Sequence, residues 1–142
     1  MSSSRSDRIP RPWLDPICSA ADALRVFSLQ ISKPLCSEVL VMFLDDDGFG
    51  GTLVTISGVS DPTSLVEIAE TMATCAAMHP EIAGIVFATV RPGGGPLIDD
   101  DEIWTEVELA LDDFDLVLID WFVIGRDGTV SMRDELGLRP IW

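Results

Sequence analysis

Three long apolar runs constrain the fold of this 142-residue chain more than any other feature of its sequence. They cover residues 39–44 (VLVMFL), 82–90 (IAGIVFATV) and 116–125 (LVLIDWFVIG). A strand that is covered on both faces reads as a continuous apolar run, whereas a half-exposed strand alternates apolar and polar residues. The runs therefore predict strands of one sheet with other elements packed on both of its faces.

Helical patterns and turn signals separate these runs. Residues 15–30 carry apolar residues at helical spacing, with Asp15 as the expected N-cap and Pro16 at the first helical position. A second helix is expected with Asp61 as its cap and Pro62 at its first position, and a third at residues 100–111. The turns DDDGFGG and RDGT each precede a returning strand. The order α-β-β-α-β-α-β-β predicts an α/β fold with a mixed central sheet flanked by helices.

The length of the chain suits one domain with its own core and is too short for two. Residues 1–12 contain Arg5, Arg8 and Arg11 among serines and two prolines, which predicts a flexible N-terminal arm. We expect a single layered domain at residues 13–142.

The charge of the chain excludes several classes of partner. Its formal net charge is −15. Such a charge repels nucleic acid and anionic membrane surfaces, and no basic stripe offsets it. No apolar run reaches the roughly 18 residues that a membrane-spanning helix needs. We therefore expect a cytoplasmic protein with no nucleic-acid and no membrane partner, which leaves a protein partner or a homodimer.

Cysteine and histidine usage limits the chemistry further. Cys18, Cys36 and Cys75 are scattered and never form a C-x-x-C pair, so we expect small buried groups in a reducing compartment. His79 is the single histidine, and there is no tyrosine. A mechanism that needs two imidazoles on one chain is excluded.

Four consecutive acids at residues 99–102, after the glycine-rich RPGGGP, allow two interpretations. Their oxygens could hold a hard cation such as Mg²⁺ or Ca²⁺. A helix N-terminus also favours acids through capping and the helix dipole. We favour the helix start, because acids there need no ion to explain them. RPGGGP is not a phosphate loop, since no G-K-[ST] follows it.

Several fragments, in their order and spacing, resemble one known family. They are SEVLVMFLD with the acid Glu38 near its start, SGVSDP before the second helix, TVRPGGGP, IDWFVIG and SMRDELGL. From about residue 36 to residue 138 the chain resembles the RadC-type branch of the JAB/MPN (JAMM) metalloprotease-like domains. The resemblance implies a mixed sheet with a cytidine-deaminase-like order of elements.

For active members of that family, the resemblance implies a zinc ion held by two loop histidines and one helix aspartate. A strand glutamate then takes a proton from the zinc-bound water, whose pKa the metal lowers to about 7. A serine near the aspartate helps to stabilise the oxyanion.

This sequence departs from that pattern at the metal positions. Carried over residue by residue, the metal positions hold Thr89, Arg91 and Glu102, the vestigial catalytic positions hold Glu38 and Asp99, and further site-lining positions hold Thr105, Asp120 and Trp121. Thr89 is a poor zinc ligand and Arg91 is permanently cationic, so we expect no zinc and no other cofactor. We expect Arg91 to replace the ion by pairing with Glu102, with Glu38 as a second candidate partner.

The resemblance and its departures predict a catalytically inactive JAB/MPN-like domain, a pseudoenzyme that acts as a protein-binding or scaffold module. The alternative is a hydrolase with an altered active site, either metallopeptidase-like or carboxylate-based. In that alternative Glu38, Asp99 and Glu102 would act as acid, base or metal ligands. The cation at position 91 favours the inactive domain.

Overall fold

The computed structural model describes residues 9–142 of the chain. The arm predicted over residues 1–12 lies mostly outside the described residues, and so do its arginines Arg5 and Arg8. Arg11 belongs to the described part, and its Nε donates to the Asp15 carboxylate at 2.9 Å.

The described residues form five strands and four helices. In chain order they are α1 (Ala20–Ser28), β1 (Glu38–Asp45), β2 (Leu53–Ser57), α2 (Ser64–Ala76), β3 (Ile82–Arg91), α3 (Asp100–Asp112), β4 (Val117–Gly125), β5 (Gly128–Ser131) and the short α4 (Met132–Glu135). The predicted order of elements is confirmed, and α4 adds one turn of helix where the sequence indicated only a strand.

The strands form one sheet in the order β2-β1-β3-β4-β5. β3 and β4 are parallel, and the other neighbouring pairs are antiparallel. The antiparallel pairs β1–β2 and β4–β5 are the two predicted hairpins. The parallel pair is joined through α3, as a crossover between parallel strands requires. The sheet is therefore mixed, as predicted for an α/β domain.

Two apolar layers cover the two faces of the sheet. On one face, α2 and α3 pack on side chains such as Val39, Phe87 and Trp121. On the other face, α1 packs on side chains such as Leu40 and Phe122. Because successive side chains of a strand point to opposite faces, neighbouring residues of β1 and β3 belong to different layers. This alternation decides which candidate site residues can meet.

Two predicted helix starts are wrong in detail. α1 begins at Ala20, and Ser19 rather than Asp15 caps it by accepting from the Asp22 N–H at 3.1 Å. The N–H of Ile17 donates to Gly48 of the β1–β2 turn, so this segment is tied to the hairpin and cannot join the helix. α2 begins at Ser64, while Asp61 accepts from Thr63 in the turn before it.

The predicted burial of the cysteines is also wrong. All three are exposed and unpaired within residues 9–142. The sequence spacing places Cys75 in the apolar stripe of α2. In the structure, Ala73 and Ala76 are the buried residues at this end of the helix. No helix in the described part of the chain is long and apolar enough to cross a membrane.

Candidate functional site

The candidate site lies where β3 ends and α3 begins, on the sheet face that α2 and α3 cover. Thr89 and Arg91 are two residues apart on β3, so both side chains point to this face. Asp100 is the first residue of α3. The segment at residues 92–99, which is exposed from Gly93 onward, connects the two elements.

Arg91 and Asp100 form a two-point ion pair at this junction. Nη1 of Arg91 lies 2.7 Å from Oδ2 of Asp100, and Nη2 lies 2.8 Å from Oδ1. Asp100 is completely buried, and the Arg91 side chain is 15% exposed. Paired, charge-assisted hydrogen bonds of this geometry are stronger than neutral ones. The pair joins the end of a central strand to the start of a helix.

Further contacts hold both partners in place. Oδ2 of Asp100 also accepts from the backbone N–H of Leu97 at 2.6 Å, which closes the turn before α3. Nη1 of Arg91 donates to the carbonyl of Gly95 at 3.3 Å. The loop backbone is therefore tied to both members of the ion pair.

Trp121 of β4 contacts both Thr89 and Arg91. Its indole is fully buried, and the guanidinium carbon of Arg91 lies 5.7 Å from the centre of the ring. Nε1 of Trp121 donates to Oγ1 of Thr89 at 2.9 Å. The tryptophan thus contacts both residues at the positions where the resemblance places histidines.

The predicted partner of Arg91 is wrong, because the ion pair uses Asp100 and leaves Glu102 exposed. The helical pattern of α3 explains the choice. Asp100 occupies the same helix stripe as the buried Ile103, Trp104 and Val107, at spacings of three, four and seven residues. Glu102 lies off that stripe. This periodicity is the sequence signal that could have identified Asp100.

Glu38 is not part of this arrangement. It pairs in register with Val90, which packs in the α1 layer, so its side chain points away from Thr89 and Arg91. The buried carboxylate accepts from the N–H of Ser32 at 2.9 Å and from its hydroxyl at 3.1 Å. Glu38 therefore holds the loop between α1 and β1.

The remaining predicted residues near α3 are exposed. Asp99 stands at the N-cap position of α3 and makes no side-chain capping hydrogen bond. Thr105 donates through its hydroxyl to the Asp101 carbonyl at 3.2 Å. The polar contacts of the Arg91–Asp100 pair are instead made with the backbone of Gly95 and Leu97.

Asp120 forms a separate buried centre on β4. It accepts from the Ser131 hydroxyl at 2.6 Å and from the backbone N–H groups of Trp121 and Arg133 at 2.7 and 3.2 Å. Burial raises the pKa of the Asp120 carboxyl, and these hydrogen bonds together with the nearby Arg133 charge act in the opposite direction. The centre fixes the start of α4 against β4.

An open groove of about 300 Å³ lies beside Arg91, between the segment at residues 59–62 and the loop after β3. Its charged lining residues are Asp61 and Arg91. Arg91 is neutralised by Asp100, and hydrogen bonds from Thr63 lower the pKa of Asp61. No His, Cys or Lys of the described chain lines the groove. It therefore offers apolar surface, backbone groups and the hydroxyls of Ser37, Ser60 and Thr89, and the lowered pKa makes its Asp61 carboxylate a weak base.

The residues at the positions that the resemblance assigns to zinc do not fit that ion. Thr89 offers a hydroxyl that already accepts from Trp121, and Arg91 brings a fixed positive charge. Within residues 9–142, no three His, Cys, Asp or Glu side chains come together as a metal site would require.

No protein-family model matches this chain, and no curated protein sequence matches it. The resemblance to RadC-type JAB/MPN domains therefore stays a prediction based on motifs.

Proposed function

We propose that this chain is a catalytically inactive JAB/MPN-like domain of the RadC type that serves as a protein-binding or scaffold module. The observation that carries the proposal is the Arg91–Asp100 ion pair on Trp121. It ties a central strand to α3 at the place where the resemblance would have a metal-dependent site.

The electrostatics of the pair support an inactive site. A metal ion activates water by offering an open coordination position and by lowering the pKa of the bound molecule. A guanidinium can stabilise negative charge, but here both of its terminal nitrogens already donate to one buried carboxylate. The Arg91 guanidinium therefore stabilises the folded structure and is not free to stabilise charge that develops during a reaction.

The alternative, a carboxylate-based hydrolase, would need its acids close together. Glu38 lies on the α1 face of the sheet, while Asp99 and Glu102 are exposed at the start of α3 on the opposite face. Carboxylates that share a site shift each other's pKa only over short distances. The geometry favours the inactive domain over this alternative.

We place the protein in the cytoplasm, since three exposed, unpaired thiols suit a reducing compartment. The charge of −15 argues against direct nucleic-acid binding and favours a partner with positive charge over self-association.

Metal analysis combined with an activity screen tests the proposal. The full chain, purified after growth with added zinc, should carry far less than one zinc ion per molecule. It should also show no amidase, peptidase or esterase activity on a broad panel. A stoichiometric zinc ion would contradict the proposal, and so would a hydrolytic activity that Glu38→Gln or Glu102→Gln abolishes.

A further inference from the structure

The basic residues of the sequence are concentrated near its two ends, and its middle part is acidic. From residue 34 to residue 125 the sequence contains a single Lys or Arg, which is Arg91, and Asp100 neutralises it. α2 and α3 lie in this stretch and pack side by side on one face of the sheet. Their exposed acids are Glu67, Glu70, Asp101, Glu102, Glu106, Glu108, Asp112 and Asp113. The outer surface of this helical layer is therefore anionic.

One groove on this layer combines the charge with apolar surface. It measures about 320 Å³ and lies between α3 and the chain after α4. We call it the α3 groove. Its lining includes Asp101, Glu102, Trp104, Glu108, Leu136 and Leu138. Three carboxylates thus stand beside an indole and two leucines, of which Leu138 is 40% exposed.

Trp104 gives a second, independent indication of a ligand. Its side chain lines the α3 groove and is only 3% exposed, yet its Nε1 has no hydrogen-bond partner within the described chain. A buried donor left without an acceptor costs about 1–3 kcal/mol. Since the Nε1 atom has almost no exposed surface, a molecule seated in the groove reaches it only by displacing the side chains that cover it, and an acceptor on that molecule would then remove the cost.

The positive groups near the α3 groove, Arg133 and Arg139, belong to α4 and to the chain after it. The Arg133 guanidinium lies over the Trp104 ring at 5.3 Å and donates to the carbonyls of Leu118, Ile119 and Arg139. Arg139 follows Leu138 on the opposite side of the groove. The α3 side itself carries carboxylates and no basic residue.

We propose that the α3 groove binds a basic peptide segment of a partner protein. A peptide supplies both groups that the groove lacks, a carbonyl acceptor for Trp104 and Lys or Arg side chains for Glu102 and Glu108. The stems of those side chains can pack on Leu138 while their charged ends reach the carboxylates. A metal ion would need converging ligands, which the described residues do not provide, and a polyamine has no acceptor for the indole.

This inference rests on the proposed function only in treating the chain as a protein-binding domain. The probe is an acetylated, fluorescein-labelled peptide of sequence GKLRKLG, titrated into the full chain and followed by anisotropy. A second titration follows the Trp104 indole N–H resonance, assigned with Trp104→Phe. Binding should shift this resonance, and spermidine should leave it in place.

Matched variants distinguish the α3 groove from general attraction to an acidic protein. Glu102→Gln with Glu108→Gln should weaken peptide binding by on the order of tenfold, as loss of close charge pairs does. Glu67→Gln with Glu70→Gln removes the same charge from α2 and should change affinity by less than about threefold. Equal weakening in both variants would overturn the inference. So would absence of binding, an unmoved Trp104 resonance, or an equal shift with spermidine. Zinc or hydrolytic activity would refute the proposed function without changing these results.

Discussion

Glu38 and Arg91 point to opposite faces of the central sheet, although both stand at positions that the RadC-like pattern assigns to one site. Glu38 is opposite Val90 in the β1–β3 register, one residue from Arg91. Side chains alternate between the two faces along a strand, so Val90 and Arg91 point to opposite faces. The Glu38 carboxylate therefore lies on the face that α1 covers, and the Arg91 guanidinium lies on the face that α2 and α3 cover. The two groups hold different parts of the fold.

This separation predicts that substitutions at the two positions act independently. Glu38→Gln should destabilise the chain by weakening the hydrogen bonds from Ser32, and Arg91→Met by leaving the Asp100 carboxylate unpaired. Their effects on the free energy of unfolding, measured in urea, should add within about 0.5 kcal/mol. A larger coupling energy would show that the two side chains share a site after all.

The ion pair itself should show strong coupling. Arg91→Met should cost about 3 kcal/mol of unfolding free energy, because it strands a buried carboxylate. Asp100→Asn retains an acceptor for the Leu97 N–H but removes the charge that pairs with Arg91. The double variant should therefore cost clearly less than the sum of the two single variants. Simple additivity in a urea-based double-mutant cycle would mean that the pair contributes nothing as a pair.

The hydrogen bond between Trp121 and Thr89 can be tested with two substitutions of similar size. Thr89→Val keeps the volume of the side chain but leaves the buried indole N–H without its acceptor, at a cost of about 1–3 kcal/mol. Thr89→Ser retains the hydroxyl and should cost less. Urea unfolding followed by tryptophan fluorescence measures both, and an equal loss in the two variants would assign the effect to packing.

Asp120 should make stability depend on pH in a defined direction. Its raised pKa means that, above the ordinary value of about 3.9, the folded chain holds the proton more readily than the unfolded chain. This stabilising contribution is therefore complete below the ordinary pKa and is lost as the pH rises through the raised value. The Asp120→Asn variant has no carboxyl group to titrate at this position, so it lacks this pH-dependent contribution.

The test is the difference in unfolding free energy between the original chain and Asp120→Asn, measured from pH 3 to pH 8. The original chain should lose stability relative to the variant as the pH rises, and the difference should then level off. Acids elsewhere in the chain titrate in both proteins and cancel in this comparison. A gain in stability of the original chain relative to Asp120→Asn as the pH rises would contradict the raised pKa.

Gly125 makes a close backbone contact with the loop after β3. A Cβ at this position would lie 2.4 Å from the Gly94 carbonyl oxygen, so Gly125→Ala must displace the loop. The expected loss is about 1–3 kcal/mol of unfolding free energy. Gly93→Ala is the matched control, since a Cβ there meets nothing within 4 Å. Similar melting temperatures for the two variants would argue against a tight contact.

The main elements of the fold were predictable because their signals are local. The continuous apolar runs identified β1, β3 and β4, and the acids at residues 99–102 marked the start of α3. The start of α1 was missed because a tertiary hydrogen bond from Ile17 to Gly48 overrides the local preference for a helix after Asp15. The local signal for the true start is the pattern Ser19-x-x-Asp22, which is typical of a capped helix N-terminus.

The contacts made by the predicted site residues could not be derived from the motifs. Alignment to the family pattern pointed to Arg91, but it selected Glu102 where the apolar stripe of α3 selects Asp100. The same alignment grouped Glu38 with Arg91, because a motif read along the chain does not record which face of a strand a residue occupies. The strand register shows which face Glu38 occupies, and the positions of the buried residues along α3 show that Asp100 points inward.

The ion pair also has a consequence for changes in chain length. Arg91 and Asp100 fix both ends of the segment at residues 92–99, so the helix does not depend on the segment's length for its position. Lengthening a loop whose ends are already held costs little, about 0.6 kcal/mol for each doubling. An insertion that leaves the contacts of Gly94, Gly95 and Leu97 intact should therefore be tolerated, both in related sequences and in an engineered graft of a foreign epitope.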